Sequence, residues 1–377
     1  MRHGFVKVAA ATPKIKVADT VYNTEQIRLL MTESAAWGAR ITVFPELCIT
    51  GYTCQDLFLQ EKLIAGAKAA LMQLAEASAS IPGIYFVGLP YEINGKLYNV
   101  AAAISDGQVL GMVPKSWIPN YNEFYEMRHF ASGAELSTDV TLPDGSEVLV
   151  DREQLFVCEQ MNKLKIGVEL CEDLWTPNPP SIAHALAGAD VIVNLSASNE
   201  ITGKSAYRKE LVCGQSARLV SAYIYASAGE GESTQDLVFS GHNLIAENGR
   251  LLAESKRFGY GVIYTETDVE KLIAERRRMT TFATQDGYAE TSFELEPEET
   301  KLTRYIDPAP FVPGNKDERD KRCDEILMIQ AMGLKKRLEH TGAGAVVGIS
   351  GGLDSTLALL VTVRAFDLLG KDRKGIT

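Results

Sequence analysis

The chain has 377 residues, more than one average domain needs and enough for two. Apolar residues make up 46% of the chain, so a large hydrophobic core can be buried. The formal net charge of −11 argues for a soluble protein and against a broad nucleic-acid-binding face, which has to be basic. A negative total still leaves room for a locally positive site that binds an anionic substrate.

Cysteine usage and the N-terminal sequence predict a cytoplasmic protein. The six cysteines show no CxxC or Cys/His metal spacing, so we expect neither a metal site nor a disulfide framework in a chain this long. The N-terminus runs straight into a strand pattern without a signal peptide. No later segment reaches the roughly 18 uninterrupted apolar residues of a membrane helix.

Apolar runs alternate with helical spacing through the first 266 residues. This mixture, in which several helices directly follow strands, predicts a layered α/β architecture. The Asp144-Gly145 pair between two runs is typical of a β-hairpin turn. The predicted strands are 5–11, 41–45, 84–89, 98–105, 109–114, 141–150, 155–159, 165–170, 190–195, 222–228, 237–246 and 262–266, and the predicted helices are 23–38, 57–79, 183–188 and 205–220.

The composition changes after residue 266. Residues 267–321 carry charge runs and a proline cluster and are interpreted as a linker with some helix at 268–278. From 322 to 377 the pattern predicts a helix (323–340), a strand (343–349), a loop (350–355) and a second helix (356–369). One strand–loop–helix unit cannot bury both faces of a parallel sheet. We therefore expect 322–377 to be the beginning of a second α/β domain.

Three polar residues stand at the ends of apolar strands in the first domain. Glu46 lies in Phe-Pro-Glu-Leu, Lys115 in Val-Pro-Lys-Ser, and Cys171 in Gly-Val-Glu-Leu-Cys-Glu-Asp. Sites in α/β sheets usually form at strand ends. Each residue alone has an ordinary explanation, a small core thiol or a solvated charge, so the combination carries the argument.

Amide cleavage needs these three residue types. A thiol with an ordinary pKa of about 8.5 needs a nearby cation to become a thiolate, and Lys115 can supply that charge and also stabilise an oxyanion. Glu46 can take the thiol proton, pass it to the leaving ammonia and then activate water. No histidine stands in a comparable context.

These motifs resemble the nitrilase, or carbon–nitrogen hydrolase, superfamily over about residues 4–266. The resemblance implies an αββα sandwich that pairs with a second copy. It implies that Glu46 is the general base, Lys115 the transition-state stabiliser and Cys171 the nucleophile. Glu123, eight residues after Lys115, matches a further family glutamate that orients the lysine, and Glu126 nearby is a competing candidate.

A second motif lies between the predicted strand 343–349 and the helix after it. In Ser350-Gly351-Gly352-Leu-Asp354-Ser355 the glycines permit close approach of the backbone to an anion, and the hydroxyls add donors. The loop lacks the GK[ST] ending of a Walker A motif, and a plain tight βα turn is the alternative. The string resembles the pyrophosphate loop of N-type ATP pyrophosphatases, which implies a doubly wound parallel sheet with ATP and Mg²⁺ bound through these five residues.

Together the two motifs resemble the glutamine-dependent NAD⁺ synthetase family. The resemblance implies that 1–266 hydrolyses glutamine without a cofactor. It implies that the domain beginning in 322–377 adenylates nicotinic acid adenine dinucleotide and amidates it with the ammonia, in a homo-oligomer without nucleic acid or membrane as partner. The family's synthetase domain is much longer than 322–377. We therefore expect a fragment that can at best hydrolyse glutamine and cannot make NAD⁺.

The same resemblance assigns five residues to glutamine. Tyr52 and Tyr121 match aromatic pocket positions, Ser198 and Lys204 match positions that bind the α-groups, and Glu172 can meet the substrate amine. The family often has arginine at position 204, and lysine cannot form the same two-pronged contact with a carboxylate.

Two other functions compete with this prediction. One is a stand-alone nitrilase-family amidase that acts on a small amide, and the loop 350–355 argues against it. The other is a catalytically silent assembly module, and the complete set of Glu46, Lys115 and Cys171 argues against it.

Overall fold

The computed structural model describes residues 2–161, 164–296 and 298–377. The chain divides into two compact units, Met1–Arg304 and Tyr305–Thr377. Each unit has its own apolar core and is described by itself. Within the described residues, no helix is long and apolar enough to cross a membrane.

The first unit contains fifteen strands and six α-helices among its described residues. The strands are β1 (Phe5–Thr12), β2 (Ile41–Val43), β3 (Ile84–Ile93), β4 (Lys96–Ser105), β5 (Gln108–Pro114), β6 (Ser137–Thr141), β7 (Glu147–Asp151), β8 (Gln154–Cys158), β9 (Leu164–Leu170), β10 (Val191–Ser196), β11 (Ala222–Ser227), β12 (Leu244–Glu247), β13 (Arg250–Glu254), β14 (Gly261–Asp268) and β15 (Ala289–Phe293). The helices are α1 (Thr20–Ala36), α2 (Glu61–Ser78), α3 (Glu172–Trp175), α4 (Pro180–Leu186), α5 (Lys204–Leu219) and α6 (Val269–Arg278).

Two mixed sheets pack face to face. One has eight strands in the order β14-β1-β2-β3-β4-β5-β7-β6, and the other has seven in the order β13-β12-β11-β10-β9-β8-β15. Helices α1 and α2 cover the outer face of the first sheet, and α4 and α5 cover the outer face of the second. The layer order is therefore αββα, and the predicted layered α/β architecture is confirmed.

The central strands read as continuous apolar runs because both of their faces are covered. In β1 the side chains of Val6, Val8 and Ala10 enter the core between the sheets, whereas Ala11 faces the helical layer. The alternation follows from the two-residue period of a strand. The segments 44–50, 115–135 and 197–203 follow the ends of β2, β5 and β10, so the sheets position the side chains that these segments carry.

Part of the predicted linker belongs to the first unit. Within 267–321 the chain forms α6 and then β15, which pairs in parallel with β8. The side chain of Arg276 on α6 donates to the carbonyl of Val220 at 3.1 Å. The charged residues of this stretch therefore belong to a folded segment, where they lie on the surface or form hydrogen bonds. The first compact unit ends at Arg304.

Other strand boundaries also differ from the predictions. The predicted strand 237–246 is ordered as a strand only over β12, and β13 and β15 were missed. The hairpin turn predicted at Asp144-Gly145 is present, since β6 and β7 pair on either side of it, but the two strands cover 137–141 and 147–151 rather than a run over 141–150. Short strands that lie at sheet edges carry weak periodicity, so pairing with a neighbour decides them.

The second unit contains two long helices, α7 (Lys316–Thr341) and α8 (Leu353–Leu369). Leu338 on α7 packs against Ala365 and Phe366 on α8. The predicted strand 343–349 does not form, and within 305–377 its residues make one isolated bridge, Ala345 to Ile376. A strand needs a partner along its length, and Val346 is instead 85% exposed.

Candidate active site

The first unit brings Glu46, Lys115 and Cys171 together at strand ends. Glu46 follows β2, Lys115 directly follows β5, and Cys171 directly follows β9. All three side chains are buried. The predicted grouping of a carboxylate, an ammonium and a thiol is therefore what the structure contains.

Glu46 is held by a donor on every side. Its Oε1 accepts from Lys115 Nζ at 2.6 Å and from Asn99 Nδ2 at 2.7 Å, and its Oε2 accepts from the main-chain N–H of Ala197 at 3.0 Å. Asn99 also accepts the main-chain N–H of Lys115 at 2.9 Å through its own carbonyl. One residue of β4 therefore sets the spacing between the carboxylate and the lysine.

Lys115 lies between two carboxylates. Its Nζ donates to both oxygens of Glu126 at 2.8 Å, in addition to Glu46. Burial opposes the charged form, but the charges of Glu126 and Glu46 raise the pKa of Lys115 well above its usual value. The ammonium therefore stays protonated, as a group that stabilises negative charge must.

The expectation for Glu123 is not met in the structure. The second carboxylate on Lys115 belongs to Glu126, which also accepts from Tyr52 Oη at 2.8 Å. Glu123 instead accepts from Asn199 Nδ2 at 2.6 Å. The two glutamates sit three residues apart between β5 and β6, Glu126 at the start of a short 3-10 helix, and the course of this segment decides which of them reaches the lysine.

Cys171 stands in a strained turn between β9 and α3. Its φ of 40° and ψ of −97° place a non-glycine residue in a sparsely populated region, at a cost of about 1–3 kcal/mol. Its main-chain N–H is anchored to the carbonyl of Leu195 at 3.0 Å. Such a turn from strand to helix is how nucleophiles are commonly presented at a sheet edge.

The thiol does not rest as a thiolate. Burial, reinforced by the charge of Glu46, raises the pKa of Cys171 well above its usual value, and Lys115 only partly opposes this. Lys115 lowers the pKa of the thiol, as predicted, but burial and the charge of Glu46 raise it by more. The thiol proton therefore has to leave as the sulfur attacks, which requires an adjacent base.

The residues predicted to contact the substrate lie around this cluster. Tyr121 is half-exposed, and its hydroxyl donates to Glu172 at 2.7 Å. Ser198 is buried and accepts from Arg208 at 3.3 Å. Lys204, the first residue of α5, donates to Asn199. Tyr52 faces the cluster through its bond to Glu126.

Sequence reasoning missed Asn99, Asp173, Asn199 and Arg208. Asn99 is a lone polar residue in an apolar run, and Asp173 lies two residues after the nucleophile, so both carried a visible signal. Arg208 is fully buried, although it lies on α5, a helix with many polar residues. An arginine in such a helix looks like a surface residue until the fold covers it.

The loop Ser350–Ser355 lies in the second unit. Gly351 has a φ of +83°, Gly352 precedes α8, and Ser355 Oγ donates to the Gly352 carbonyl at 3.1 Å. Ser350, Gly351, Gly352 and Asp354 are all exposed. Within the described residues, no group of three or more His, Cys, Asp or Glu side chains is arranged to hold a metal ion.

A sequence model of the carbon-nitrogen hydrolase family matches residues 7–277. The chain belongs to the carbon–nitrogen hydrolase family. The match runs from within β1 into α6 and includes all three strand-end residues, and the predicted nitrilase-like αββα fold is confirmed.

Curated relatives extend the comparison to the whole chain. A glutamine-dependent NAD(+) synthetase of Mycobacterium tuberculosis is 39% identical over 388 aligned positions, which cover 100% of this chain and 57% of the relative. Its counterpart from Aquifex aeolicus is 29% identical and is covered to 58%. The chain thus spans little more than half the length of these relatives.

Solved structures share the fold at low sequence identity. A glutamine-dependent NAD(+) synthetase from Cytophaga hutchinsonii matches with a TM-score of 0.63 and 24% identity, over 96% of this chain and 52% of that one. An amidase from Nesterenkonia sp. matches with a TM-score of 0.56 and 18% identity, over 74% of this chain and 97% of that one. At these identities the likeness concerns the fold alone.

Proposed function

We propose that the first unit hydrolyses glutamine to glutamate and ammonia through a cysteine thioester. The observation that carries the proposal is the buried Glu46–Lys115–Glu126 cluster beside Cys171, in a chain of the carbon–nitrogen hydrolase family. Glutamine is favoured over other amides because the two curated relatives, which match 100% and 96% of this chain, are named as glutamine-dependent.

The proposed reaction begins when Cys171 Sγ attacks the side-chain carbonyl carbon of glutamine. Glu46 takes the thiol proton, and Lys115 stabilises the oxyanion together with the main-chain N–H of Glu172. Glu46 then gives the proton to the leaving nitrogen, so that ammonia departs and a thioester remains. Water, deprotonated by Glu46, attacks the thioester and releases glutamate and the thiol.

The geometry supports this division of roles. A general base has to be held in a fixed position, and hydrogen bonds from Asn99 and from the main-chain N–H of Ala197 hold the Glu46 carboxylate. Lys115 can serve as a permanent cation since two carboxylates keep it protonated. The raised pKa of the Cys171 thiol makes proton removal by Glu46 part of the attack itself.

For the complete protein we propose the activity of the relatives, glutamine-dependent NAD⁺ synthesis in a cytoplasmic homo-oligomer. The exposed loop Ser350–Ser355, which opens the 17-residue helix α8, is suited to phosphate because main-chain N–H groups and hydroxyls converge there. In this proposal the loop takes ATP, Asp354 takes Mg²⁺, and nicotinic acid adenine dinucleotide is the acceptor of ammonia. That residues 322–377 begin the synthetase domain remains a prediction.

The test is glutamate release from glutamine by this chain, beside a Cys171→Ala variant and a panel of amides and nitriles without α-groups. We expect release that is abolished in the variant and a kcat/KM for glutamine above that for the panel. A higher kcat/KM for a small amide would instead establish an amidase. If no substrate is turned over, alkylation of Cys171 in the presence and absence of glutamine decides whether the pocket binds glutamine at all.

A further inference from the structure

Asn199 connects the loop after Lys115 with the first turn of helix α5. Its side-chain Nδ2 donates to Glu123 Oε1 at 2.6 Å, and its Oδ1 accepts from Lys204 Nζ. A carboxylate can only accept and an ammonium can only donate, so just one orientation of the amide satisfies both partners. Asn199 is 3% exposed, and its conformation is therefore set by these two contacts.

Arg208 fixes the segment that contains Asn199. Its Nη2 donates to the carbonyl of Asn199 at 3.1 Å and to Ser198 Oγ at 3.3 Å, and its Nη1 donates to Glu200 at 3.1 Å. One fully buried guanidinium thus forms hydrogen bonds with three consecutive residues, 198–200. Arg208 and Lys204 lie one turn apart on α5, so the helix that carries the lysine also carries its support.

Lys204 is a half-buried ammonium in an aromatic frame. Its Nζ lies 5.1 Å from the ring centre of Trp175 and 5.7 Å from that of Phe124. Within 2–161, 164–296 and 298–377, no carboxylate forms an ion pair with it. An ammonium has three donors, and Asn199 uses one, so the remaining donors can take an anionic ligand.

Asn199 also keeps two opposite charges apart. Glu123 would be the natural counter-ion of Lys204, but the neutral amide stands between them and bonds to each. A direct Glu123–Lys204 ion pair would neutralise the ammonium within the protein and leave it unavailable to an anionic ligand. Burial lowers the pKa of Lys204. Trp175, over whose ring the ammonium lies, ends the helix α3 that begins directly after Cys171, so the lysine is near the nucleophile.

We propose that Asn199, oriented by Glu123, is a positioning residue that aims the Lys204 ammonium at the α-carboxylate of the substrate. The inference deepens the proposed glutaminase function and rests on it. It gives Glu123 a role in substrate selection in place of the lysine-orienting role expected from its spacing. A lysine on a flexible stem needs such a fixed acceptor, because it cannot orient itself through the two-pronged contact open to arginine.

The test measures how glutamine protects Cys171 from alkylation by iodoacetamide, with the modified peptide quantified by mass spectrometry. Protection reports occupation of the Cys171 site, whether by bound glutamine or by its thioester, and a neutral amide such as propionamide serves as the probe that lacks an α-carboxylate. For Asn199→Ala we expect at least tenfold more glutamine for half-protection. The alkylation rate without ligand and protection by propionamide should stay within twofold of the wild type.

A pair of variants separates positioning from mere structural support. Asn199→Asp places a carboxylate against Glu123 and Lys204, so both the thermal midpoint and glutamine protection should fall. In the double variant Asn199→Asp with Glu123→Gln, the new amide can donate to the new carboxylate, and the thermal midpoint should recover. Glutamine protection should stay weak, because the negative charge beside Lys204 persists.

Three outcomes overturn the inference, and each can be told from the others. If glutamine protects the wild type and Asn199→Ala equally, Asn199 does not position Lys204 while the proposed function stands. If glutamine does not protect even the wild type, the proposed function fails and the inference fails with it. Equal loss of protection by glutamine and propionamide in Asn199→Ala would also overturn it, because the effect would not concern the α-carboxylate.

Discussion

Asp173 Oδ1 accepts a hydrogen bond from the main-chain N–H of Trp117 at 2.8 Å. Its Oδ2 accepts from the N–H of Leu170 at 3.1 Å, within the turn that presents Cys171. One buried carboxylate therefore ties the segment following Lys115 to the turn that holds the nucleophile. The relative placement of the oxyanion stabiliser and the sulfur depends on this bridge.

Replacing Asp173 with alanine should cost both stability and reactivity. The main-chain N–H groups of Leu170 and Trp117 would lose their acceptor, and the buried one, that of Leu170, costs about 1–3 kcal/mol. We expect a lower free energy of unfolding in urea and at least tenfold slower alkylation of Cys171. Asp173→Asn should give a smaller loss, and Asp139→Asn on exposed β6 is the control. Unchanged alkylation in a destabilised Asp173→Ala variant would show that the bridge serves folding alone.

Activity should depend on the ionisation of Glu126. Burial raises the pKa of Glu126 to about 7, and its ionised form accepts from Lys115 and Tyr52. Protonation weakens these bonds, so kcat/KM should fall as the pH drops through about 7. Glu126→Gln should remove this inflection and lower kcat by about 100-fold, the usual cost of a misplaced catalytic group.

The variant Tyr52→Phe provides the control for this assignment. Loss of the hydroxyl removes one donor to ionised Glu126, so the inflection should move to higher pH while activity above it is largely kept. An inflection that persists in Glu126→Gln would assign it to another group. Asp173, whose pKa burial also raises to about 7, would then be the first candidate.

The backbone that carries Glu46 requires glycine at position 88. A Cβ on Gly88 would lie 2.3 Å from Leu47 N and 2.7 Å from the Pro45 carbonyl, both main-chain atoms. Gly88→Ala should therefore push the Glu46 turn away from β3, at about 1–3 kcal/mol of stability and about 100-fold in kcat. Gly214→Ala on α5, where a Cβ meets open space, is the matched control. Wild-type kcat in Gly88→Ala would contradict the close packing.

Stability at acid pH should depend on His184. Burial lowers the pKa of His184 from 6.5 to about 4, while its ring nitrogens contact the Val168 carbonyl and Tyr288 Oη at 2.9 Å. Between these pH values the unfolded chain binds a proton that the folded protein does not. This group's contribution is therefore complete above pH 6.5 and is lost as the pH falls toward 4, by about 3 kcal/mol at most.

The measurement is the free energy of unfolding against pH for the wild type and for His184→Gln, whose amide can keep both hydrogen bonds. The difference between the two curves isolates the histidine, because Glu126 and Asp173 have raised pKa values and contribute with the opposite sign in both proteins. The wild type should lose more stability than the variant between pH 6.5 and 4. Parallel curves would contradict the assignment.

The sequence by itself determined the layered α/β architecture and three central residues of the site. Central strands covered on both faces have to be continuous apolar runs, so a polar residue directly after such a run is visible without a structure. Glu46, Lys115 and Cys171 all stand in that position. The motifs around them identified the family, and the family match is confirmed over residues 7–277.

Only the tertiary structure decided which side chains meet these three. Glu123 and Glu126 lie in a segment whose sequence has no strand or α-helix periodicity, and spacing favoured the one that reaches Asn199 over the one that reaches Lys115. Asn99 reaches Glu46 from a strand 53 positions further along the chain, which no local pattern encodes. The physical reason is that strand patterns record burial, which is local, whereas loop contacts depend on where distant strand ends are brought together.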